Sequence, residues 1–127
     1  TYRYHMKFNI VIGNPPYQQR AGESTYTIPI QNYFVQFSLK HSDIVLLLTQ
    51  ANYCGPIRSS IKELLQNNNT VSYSYTSAFK EAVPSMEIGW FYINNTVEYS
   101  GTEIQNKFGE RFKTDIIRAP IYKNGGR

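Results

Sequence analysis

Phe-Asn-Ile-Val-Ile-Gly-Asn-Pro-Pro-Tyr, residues 8–17, is the stretch that decides the fold of this chain. Its first residues form a short, largely β-branched apolar run, and Gly-Asn-Pro-Pro stops that run abruptly. This pattern is typical of a buried strand that ends at a tight loop. We therefore predict a central parallel strand over Phe8–Gly13.

A second strand of the same kind follows after a helix. Pro29 opens a segment whose apolar residues recur at helical spacing up to about Lys40, and Asp43–Thr49 is apolar on both faces. The polar stretch Gln18–Thr27 is expected to be a mobile loop. Strand, helix and strand make a βαβ unit, in which we expect a right-handed crossover and ligands at the carboxyl ends of the strands.

Two further strands are predicted beyond a second helix. Pro56 begins that helix, which frays at residues 67–69. Val71–Phe79 alternates tyrosine with serine, and Glu87–Asn94 is rich in aromatic residues. Because only a loop separates these segments, we expect an antiparallel pair at the far edge of the sheet, followed by a poorly patterned tail. The order predicts the α/β class with three layers, α/β/α.

The excess of basic residues lies at the C-terminal end. The 127 residues carry a net charge of +4, yet residues 1–103 balance seven basic against seven acidic side chains. We therefore separate residues 1–103 from a basic tail, residues 104–127. Such a tail contacts nucleic-acid phosphates in some proteins, although a solvated end with no role is the commoner case. The candidate phosphate contacts are Lys107, Arg111, Lys113 and Arg118.

Cysteine content and hydropathy indicate the compartment. Cys54 is the only cysteine, so no internal disulfide can form, and a reducing cytoplasm fits best. The longest apolar run, Ile44–Leu48, is too short to cross a bilayer. We predict a cytoplasmic protein with no membrane association and no metal site, in which His5 and His41 are ordinary surface side chains.

The tetrapeptide at residues 14–17 presents hydrogen-bond acceptors and a flat ring. The loop is stiff, because Pro15 and Pro16 fix their own φ angles and donate no N–H. It can aim the side-chain carbonyl of Asn14 and the main-chain carbonyl of Pro15 at one point, while Tyr17 offers a face for stacking. Two converging acceptors suit an aromatic amine that is being alkylated, because they turn the nitrogen lone pair toward the incoming carbon. Taken alone, the tetrapeptide is also compatible with a rigid turn that only closes a strand.

The same ten residues resemble the catalytic motif of adenine-specific DNA methyltransferases, which modify the exocyclic amine of adenine in bacterial and phage restriction–modification systems. The resemblance continues through Ile30–Phe37, Val45–Pro56 and Phe79–Gly101, and covers about residues 6–101. It implies a partial Rossmann-like methyltransferase sheet, of which residues 1–103 form the catalytic half. It also implies S-adenosyl-L-methionine as cofactor and double-stranded DNA as substrate.

The resemblance assigns roles to single residues. Asn14 and Pro15 accept the hydrogen bonds of the amine, Tyr17 stacks on the flipped adenine, and Gly13 with Asn14 borders the cofactor. The family often carries an aromatic residue before the proline of a late loop, where this chain has Val83, so another aromatic side chain is expected to replace that wall. The remaining candidates for the base pocket are Pro16, Phe79, Val83, Pro84 and Trp90.

The cofactor half of the family matches no part of this sequence. Its Gly-rich turn and acidic residue are expected upstream of the catalytic motif, whereas only seven residues precede Phe8 and the eight glycines form no such turn. The strand Phe8–Ile12 would then lie at an edge, although its apolar character calls for neighbours. We expect a cofactor-binding half, in cis or in trans, to cover it, in preference to a second copy of the chain.

Two functions remain open on the sequence. The first is the catalytic and target-base half of a DNA adenine methyltransferase, inactive until the cofactor half is supplied. The second is a non-catalytic module, a regulator or decoy, that keeps the base pocket or basic tail to bind nucleic acid or a methylase partner. Methylation of glutamine in proteins uses a similar tetrapeptide, so the substrate is open at this point as well.

Overall fold

The computed structural model describes residues 6–15, 18–20, 27–29, 31–50, 64–65, 67–82, 84 and 87–115. These residues form eight strands and one complete helix. In chain order the elements are β1 (Val11–Gly13), β2 (Gln18–Arg20), β3 (Thr27–Pro29), α1 (Gln31–His41), β4 (Ile44–Gln50), β5 (Thr70–Tyr75), β6 (Ile88–Asn94), β7 (Thr102–Gln105) and β8 (Arg111–Thr114).

Six of the strands form one mixed sheet in the order β1-β4-β6-β5-β7-β8. β1 pairs in parallel with β4, and β5 pairs in parallel with β7. The β4–β6, β5–β6 and β7–β8 pairs are antiparallel. The predicted α/β class with a partial Rossmann-like sheet is confirmed. No described residue forms the predicted third layer, because α1 and the helical residue Leu65 both pack on the same face of the sheet.

The core lies between α1 and one face of this sheet. Alternate residues of a strand point to the same face, so Val45 and Leu47 of β4 stand beside Ile93 and Phe91 of β6, their register partners. The ring of Phe91 lies 4.8 Å from that of Tyr73, centroid to centroid. Each fully buried aliphatic or phenylalanine side chain contributes roughly 1.5–3 kcal/mol to folding. The buried members of this cluster are Val35, Val45, Leu47, Leu65, Tyr73, Phe91, Ile93 and Ile104.

The helix α1 ends in a polar turn that starts β4. The Ser42 N–H donates to the Ser38 carbonyl at 2.9 Å, and the Ser42 hydroxyl accepts the N–H of Ile44 at 3.1 Å. His41 closes the last turn, and its Nδ1 lies 2.7 Å from the carbonyl oxygen of Met6. His41 is partly exposed, and it also ties the segment before β1 to the helix.

The first strand is shorter than predicted. β1 pairs with β4 only from Val11, which lies opposite Val45, and β4 itself begins at Ile44. The residues of the predicted strand before Val11 therefore have almost no part of β4 to pair with. Instead, the N–H of Phe8 donates to the carbonyl of His41 at 2.7 Å.

The stretch predicted as a mobile loop, Gln18–Thr27, contains paired strands. β2 and β3 form a two-stranded antiparallel ribbon in which Gln19 lies opposite Ile28. The prediction is wrong for residues 18–20 and 27, because ladder hydrogen bonds join backbone groups and leave no hydrophobic pattern. Residues 21–26 lie outside the described residues. Most of the predicted helix from Pro56 lies outside the described residues, and Pro29, predicted to open α1, belongs to β3.

The antiparallel pair of β5 and β6 is confirmed, but its predicted place at the edge is wrong. β6 lies between β4 and β5, and β7 and β8 extend the sheet beyond β5. The stretch predicted to be poorly patterned therefore contains two strands of the sheet. The boundary drawn between residues 103 and 104 falls inside β7. The division into a catalytic half and a basic tail stays a prediction.

Thr102 tests whether β7 contributes to the stability of the sheet. It is fully buried, and its hydroxyl donates to the carbonyl of Thr70 at 2.7 Å. We expect Thr102→Val to lower the free energy of unfolding by about 1 kcal/mol, because a buried carbonyl loses its donor. Urea denaturation measures the loss. Thr114→Val, in the directly opposite residue of β8, is the matched control, and equal unfolding midpoints for both variants would contradict the prediction.

Candidate functional site

One edge of the sheet collects most of the predicted site residues. β1, β4, β5 and β7 run in the same direction, so their carboxyl ends meet at this edge, where the antiparallel strands β6 and β8 begin. We call it the carboxyl edge. In open α/β sheets this is where ligands bind. The described candidates at or next to it are Asn14, Pro15, Phe79, Pro84, Trp90, Lys107 and Arg111.

The segment after β1 presents a polar side chain on a buried support. Asn14 directly follows β1 and is exposed, whereas Pro15 is buried. Pro15 has a fixed φ and no N–H to satisfy, so its burial leaves no donor without a partner. Pro16 and Tyr17 lie outside the described residues. The described part of the loop therefore places an amide at the carboxyl edge on a rigid base.

Apolar side chains in and just before β1 are exposed. Phe8, Ile10 and Ile12 are 44%, 46% and 60% exposed. Within the described sheet, β1 has β4 as its neighbour on one side only, so its other side offers unpaired backbone. A methyl group at Gly13 would lie 3.7 Å from Cδ2 of Leu47, which is ordinary packing.

Two of the predicted base-pocket residues lie between β5 and β6. Phe79 is in a turn in which the N–H of Lys80 donates to the carbonyl of Ser77 at 3.1 Å. The Phe79 side chain is 37% exposed, and Pro84 is exposed as well. Val83 lies outside the described residues.

Trp90 is placed on the sheet face opposite the core. Its register partners are Leu48 of β4 and Ser74 of β5, and it is half-buried. Gly13 lies opposite Leu47, so Asn14 lies level with Leu48 and hence with Trp90. Two strand spacings of about 4.8 Å place Trp90 about 10 Å from β1.

The predicted basic residues divide into two environments. The Lys107 Nζ lies 3.9 Å from Oε1 of Glu87, a carboxylate with a side chain only 7% exposed. Arg111 and Lys113 alternate along β8 with Phe112, which packs against the core, so both stand on the opposite sheet face. Arg118 lies outside the described residues.

Sequence reasoning missed the neighbours of Arg111 and Lys113. Both side chains line an open cavity of about 430 Å³. Gln105 of β7 lies opposite Arg111, and Glu103 lies opposite Lys113. Ser72 and Ser74 of β5 complete the polar face of this cavity. The alternation of polar and apolar residues in Thr-Glu-Ile-Gln and Arg-Phe-Lys-Thr could have indicated these two strands, but each segment is only four residues long.

The described residues provide neither a membrane-spanning helix nor a metal cluster. None of their helices is long and apolar enough to cross a membrane. They also contain no group of three or more His, Cys, Asp or Glu side chains that could hold a metal ion.

Comparison with solved structures shows the fold. One similar chain, with a TM-score of 0.55, comes from a structure that addresses complex assembly and conformational transition of a type I R-M system. The similarity covers 77% of this chain and 23% of that one, at 13% sequence identity. This chain thus spans about a quarter of the matched one. A search of curated proteins found no match.

Comparison with protein families gives the affiliation. The match begins before β1 and includes α1, β4 and β5, and therefore the segment that places Asn14 at the carboxyl edge. It extends over residues 2–81, which is more than half of the chain. The chain therefore belongs to the Eco57I restriction-modification methylase family.

Proposed function

We propose that this chain is the catalytic and target-base half of an S-adenosyl-L-methionine-dependent DNA adenine methyltransferase. The observation that carries the proposal is the loop after β1, in which the exposed Asn14 stands on the buried Pro15 at the carboxyl edge. Membership of a restriction-modification methylase family supports the reaction class. Adenine is proposed because residues 8–17 resemble the motif of adenine-specific enzymes, and its exocyclic amine has two N–H bonds to donate to two acceptors.

The loop acts by holding the amine. The side-chain carbonyl of Asn14 and the main-chain carbonyl of Pro15 accept one N–H each, which draws the nitrogen lone pair out of conjugation and toward the methyl donor. Tyr17 stacks on the flipped base, which offsets part of the cost of extruding it. The nitrogen gains a methyl group and loses one proton to water, so no general base is required.

The remaining base-pocket residues form the walls of the pocket in this proposal. Phe79 and Pro84 are exposed in the segment between β5 and β6, and Trp90 lies level with Asn14 in the sheet register. Pro16 and Val83 are proposed to complete the pocket beside them. Val83 stands where the family often has an aromatic residue. The aromatic wall on the second side of the base is therefore proposed to come from Phe79 or Trp90.

Gly13 and Asn14 fit one wall of a cofactor site. Gly13 ends β1 and so brings its main chain to the carboxyl edge, and the side chain of Asn14 is exposed. S-adenosyl-L-methionine supplies the methyl group when it is bound. The other walls are proposed to come from a cofactor-binding half, in cis or in trans, that covers the exposed Phe8, Ile10 and Ile12. A second copy of the chain at the same edge is the alternative cover.

A reconstitution assay tests the proposed reaction. The chain is mixed with a cofactor-binding half of the same family, labelled S-adenosyl-L-methionine and unmodified duplex DNA. Digestion of the DNA to nucleosides is expected to release the label as N6-methyl-2′-deoxyadenosine. Label that appears in a protein glutamine instead, or no label with any DNA, would contradict the proposal.

A second function is supported by the basic sheet face. Arg111 and Lys113 lie on β8, five strand spacings from β1, which is about 24 Å at about 4.8 Å each. Nucleic-acid binding there does not need the Asn14 loop. The chain could thus serve as a non-catalytic regulator or decoy, and it would then bind DNA but fail the reconstitution assay.

Both functions predict that the basic face contributes to the salt dependence of DNA binding. Within the described part of the chain, Arg111 and Lys113 form no salt bridge. Each phosphate contact that is lost lowers the slope of log K against log salt by about 1. We therefore expect the double variant Arg111→Gln, Lys113→Gln to flatten this slope by about 2 in titrations of duplex DNA.

Lys7, just before β1, is a matched control for the loss of positive charge, because β1 and β8 are the two outer strands of the sheet. Lys7 is exposed and pairs with Asp43, 3.5 Å away, just before β4. We expect Lys7→Gln to leave the salt slope unchanged. Equal slopes for the wild-type chain and the double variant would remove Arg111 and Lys113 from the interface.

A further inference from the structure

The turn between β7 and β8 is held rigidly by one buried side chain. Asn106 is 2% exposed, and its Oδ1 accepts the N–H of Phe108 at 3.1 Å and the N–H of Glu110 at 3.2 Å. Its Nδ2 donates to Oε1 of Glu110 at 2.9 Å. Gly109 has a φ of 75°, which favours glycine, and its N–H donates to the Asn106 carbonyl. The turn is thus preorganised.

This turn presents a large aromatic side chain to solvent. Phe108 is 67% exposed, whereas Phe112 of the same hairpin packs against the core. The Lys107 Nζ lies 5.3 Å from the centroid of the Phe108 ring, within the range of a cation–π contact. Arg111 is the first residue of β8, on the other side of the turn. An exposed ring on a stiff support therefore has one cation beside it, and a second cation begins the next strand.

The position of the turn relates it to the Asn14 loop. β7 ends and β8 begins at the carboxyl edge, the same edge that carries Asn14. The five strand spacings between β1 and β8 make about 24 Å. Duplex DNA rises about 3.4 Å per base pair, so this distance corresponds to about seven base pairs. A duplex lying along the carboxyl edge therefore reaches both places.

We propose that Phe108 is a base-contacting residue that packs against a destacked base step of DNA, flanking the target adenine. This inference rests on the proposed function, because it takes DNA as the substrate. An apolar ring inserts at a base step, while Arg111, at the start of β8, contacts a neighbouring phosphate. The rigid turn lowers the entropy lost when the ring is fixed against the DNA.

Substitution of Phe108 in the full chain tests the inference. Base–aromatic contacts contribute enough that Phe108→Ala is expected to weaken duplex binding roughly tenfold. The salt slope is expected to stay unchanged, because no charge is removed. Phe108→Trp retains a flat ring and is expected to bind within about twofold of the wild-type chain by the same stacking argument. Fluorescence anisotropy with labelled duplex DNA at several salt concentrations measures both quantities.

The matched control is Val97→Ala. Val97 is 52% exposed and follows β6 at the opposite edge of the sheet, so its truncation removes exposed apolar surface away from the DNA. Thermal unfolding checks that each variant is folded. We expect the melting temperature of Phe108→Ala to lie within about 5 °C of the wild-type value, because Phe108 is exposed and lies outside the core cluster.

The outcomes separate this inference from the proposed function. Unchanged affinity of Phe108→Ala, together with a flattened slope for Arg111→Gln, Lys113→Gln, overturns the inference and leaves the proposed function standing. Failure of the wild-type chain to bind DNA even when the cofactor-binding half is present overturns both. A change in sedimentation or in association with the cofactor-binding half, with DNA affinity intact, would place Phe108 in a protein contact instead and overturn the inference.

Discussion

Asn14→Ala is expected to lower the rate of methyl transfer about 10²–10³-fold in the reconstituted enzyme, the range measured when one preorganised polar contact to a transition state is removed. DNA affinity is expected to stay unchanged, because a single amide at the edge contributes little to binding dominated by phosphates. Asn14 is exposed and follows β1, so its truncation leaves no cavity in the core. Single-turnover kinetics with saturating DNA measure the chemical step.

Asn14→Asp distinguishes loss of the acceptor from general damage to the loop. Aspartate keeps an acceptor oxygen at nearly the same position, so we expect it to retain more activity than alanine. Unaltered methyl transfer by Asn14→Ala would remove Asn14 from the reaction. An equal loss in DNA affinity and in rate would mean that the side chain acts in binding.

Gly89→Ala is expected to lower the free energy of unfolding by about 3 kcal/mol, at the upper end of the range for overpacked cores. A methyl group on Gly89 would overlap Cε2 of Tyr73 and lie only 2.7 Å from its Cζ. The Tyr73 ring is 1% exposed and packs on Phe91, so moving it disturbs the core. Urea denaturation followed by circular dichroism measures the change.

Gly13→Ala is the matched control, because Gly13 is also a strand glycine of this sheet. Its new methyl group would meet Leu47 at an ordinary distance, and the substitution lowers the entropy of the unfolded chain. We expect unfolding free energy within about 0.5 kcal/mol of the wild-type value. Similar destabilisation by both variants would mean that loss of glycine in a strand, and not the contact with Tyr73, is responsible.

The long apolar strands were predictable from the sequence. β4 and β6 were predicted as Asp43–Thr49 and Glu87–Asn94, each within one residue of the observed bounds. Both lie in the middle of the sheet, where burial demands a continuous apolar run that stands out from the surrounding sequence. The apolar run that ends at Gly13 likewise predicted that Asn14 directly follows a parallel strand.

The short strands were not predictable by the same means. β7 contributes one buried aliphatic side chain, Ile104, and β8 contributes Phe112, so neither shows a hydrophobic period of useful length. The pairing of Lys107 with Glu87 depends on a contact between distant segments. Charge counting therefore grouped Lys107 with Arg111 and Lys113, although their surroundings differ. The roles of the site residues remain predictions.

The central place of β6 determines the order in which the sheet is completed during synthesis. β4 and β5 both pair with β6, yet β6 is made after both of them. Contacts between such distant segments form slowly, because a long loop must close before any hydrogen bond compensates the lost chain entropy. Until Asn94 has left the ribosome, β4 and β5 expose unpaired edges of the kind that aggregate. We therefore expect a nascent chain arrested before Ile88 to be a substrate for chaperones and proteases, and not a smaller folded domain.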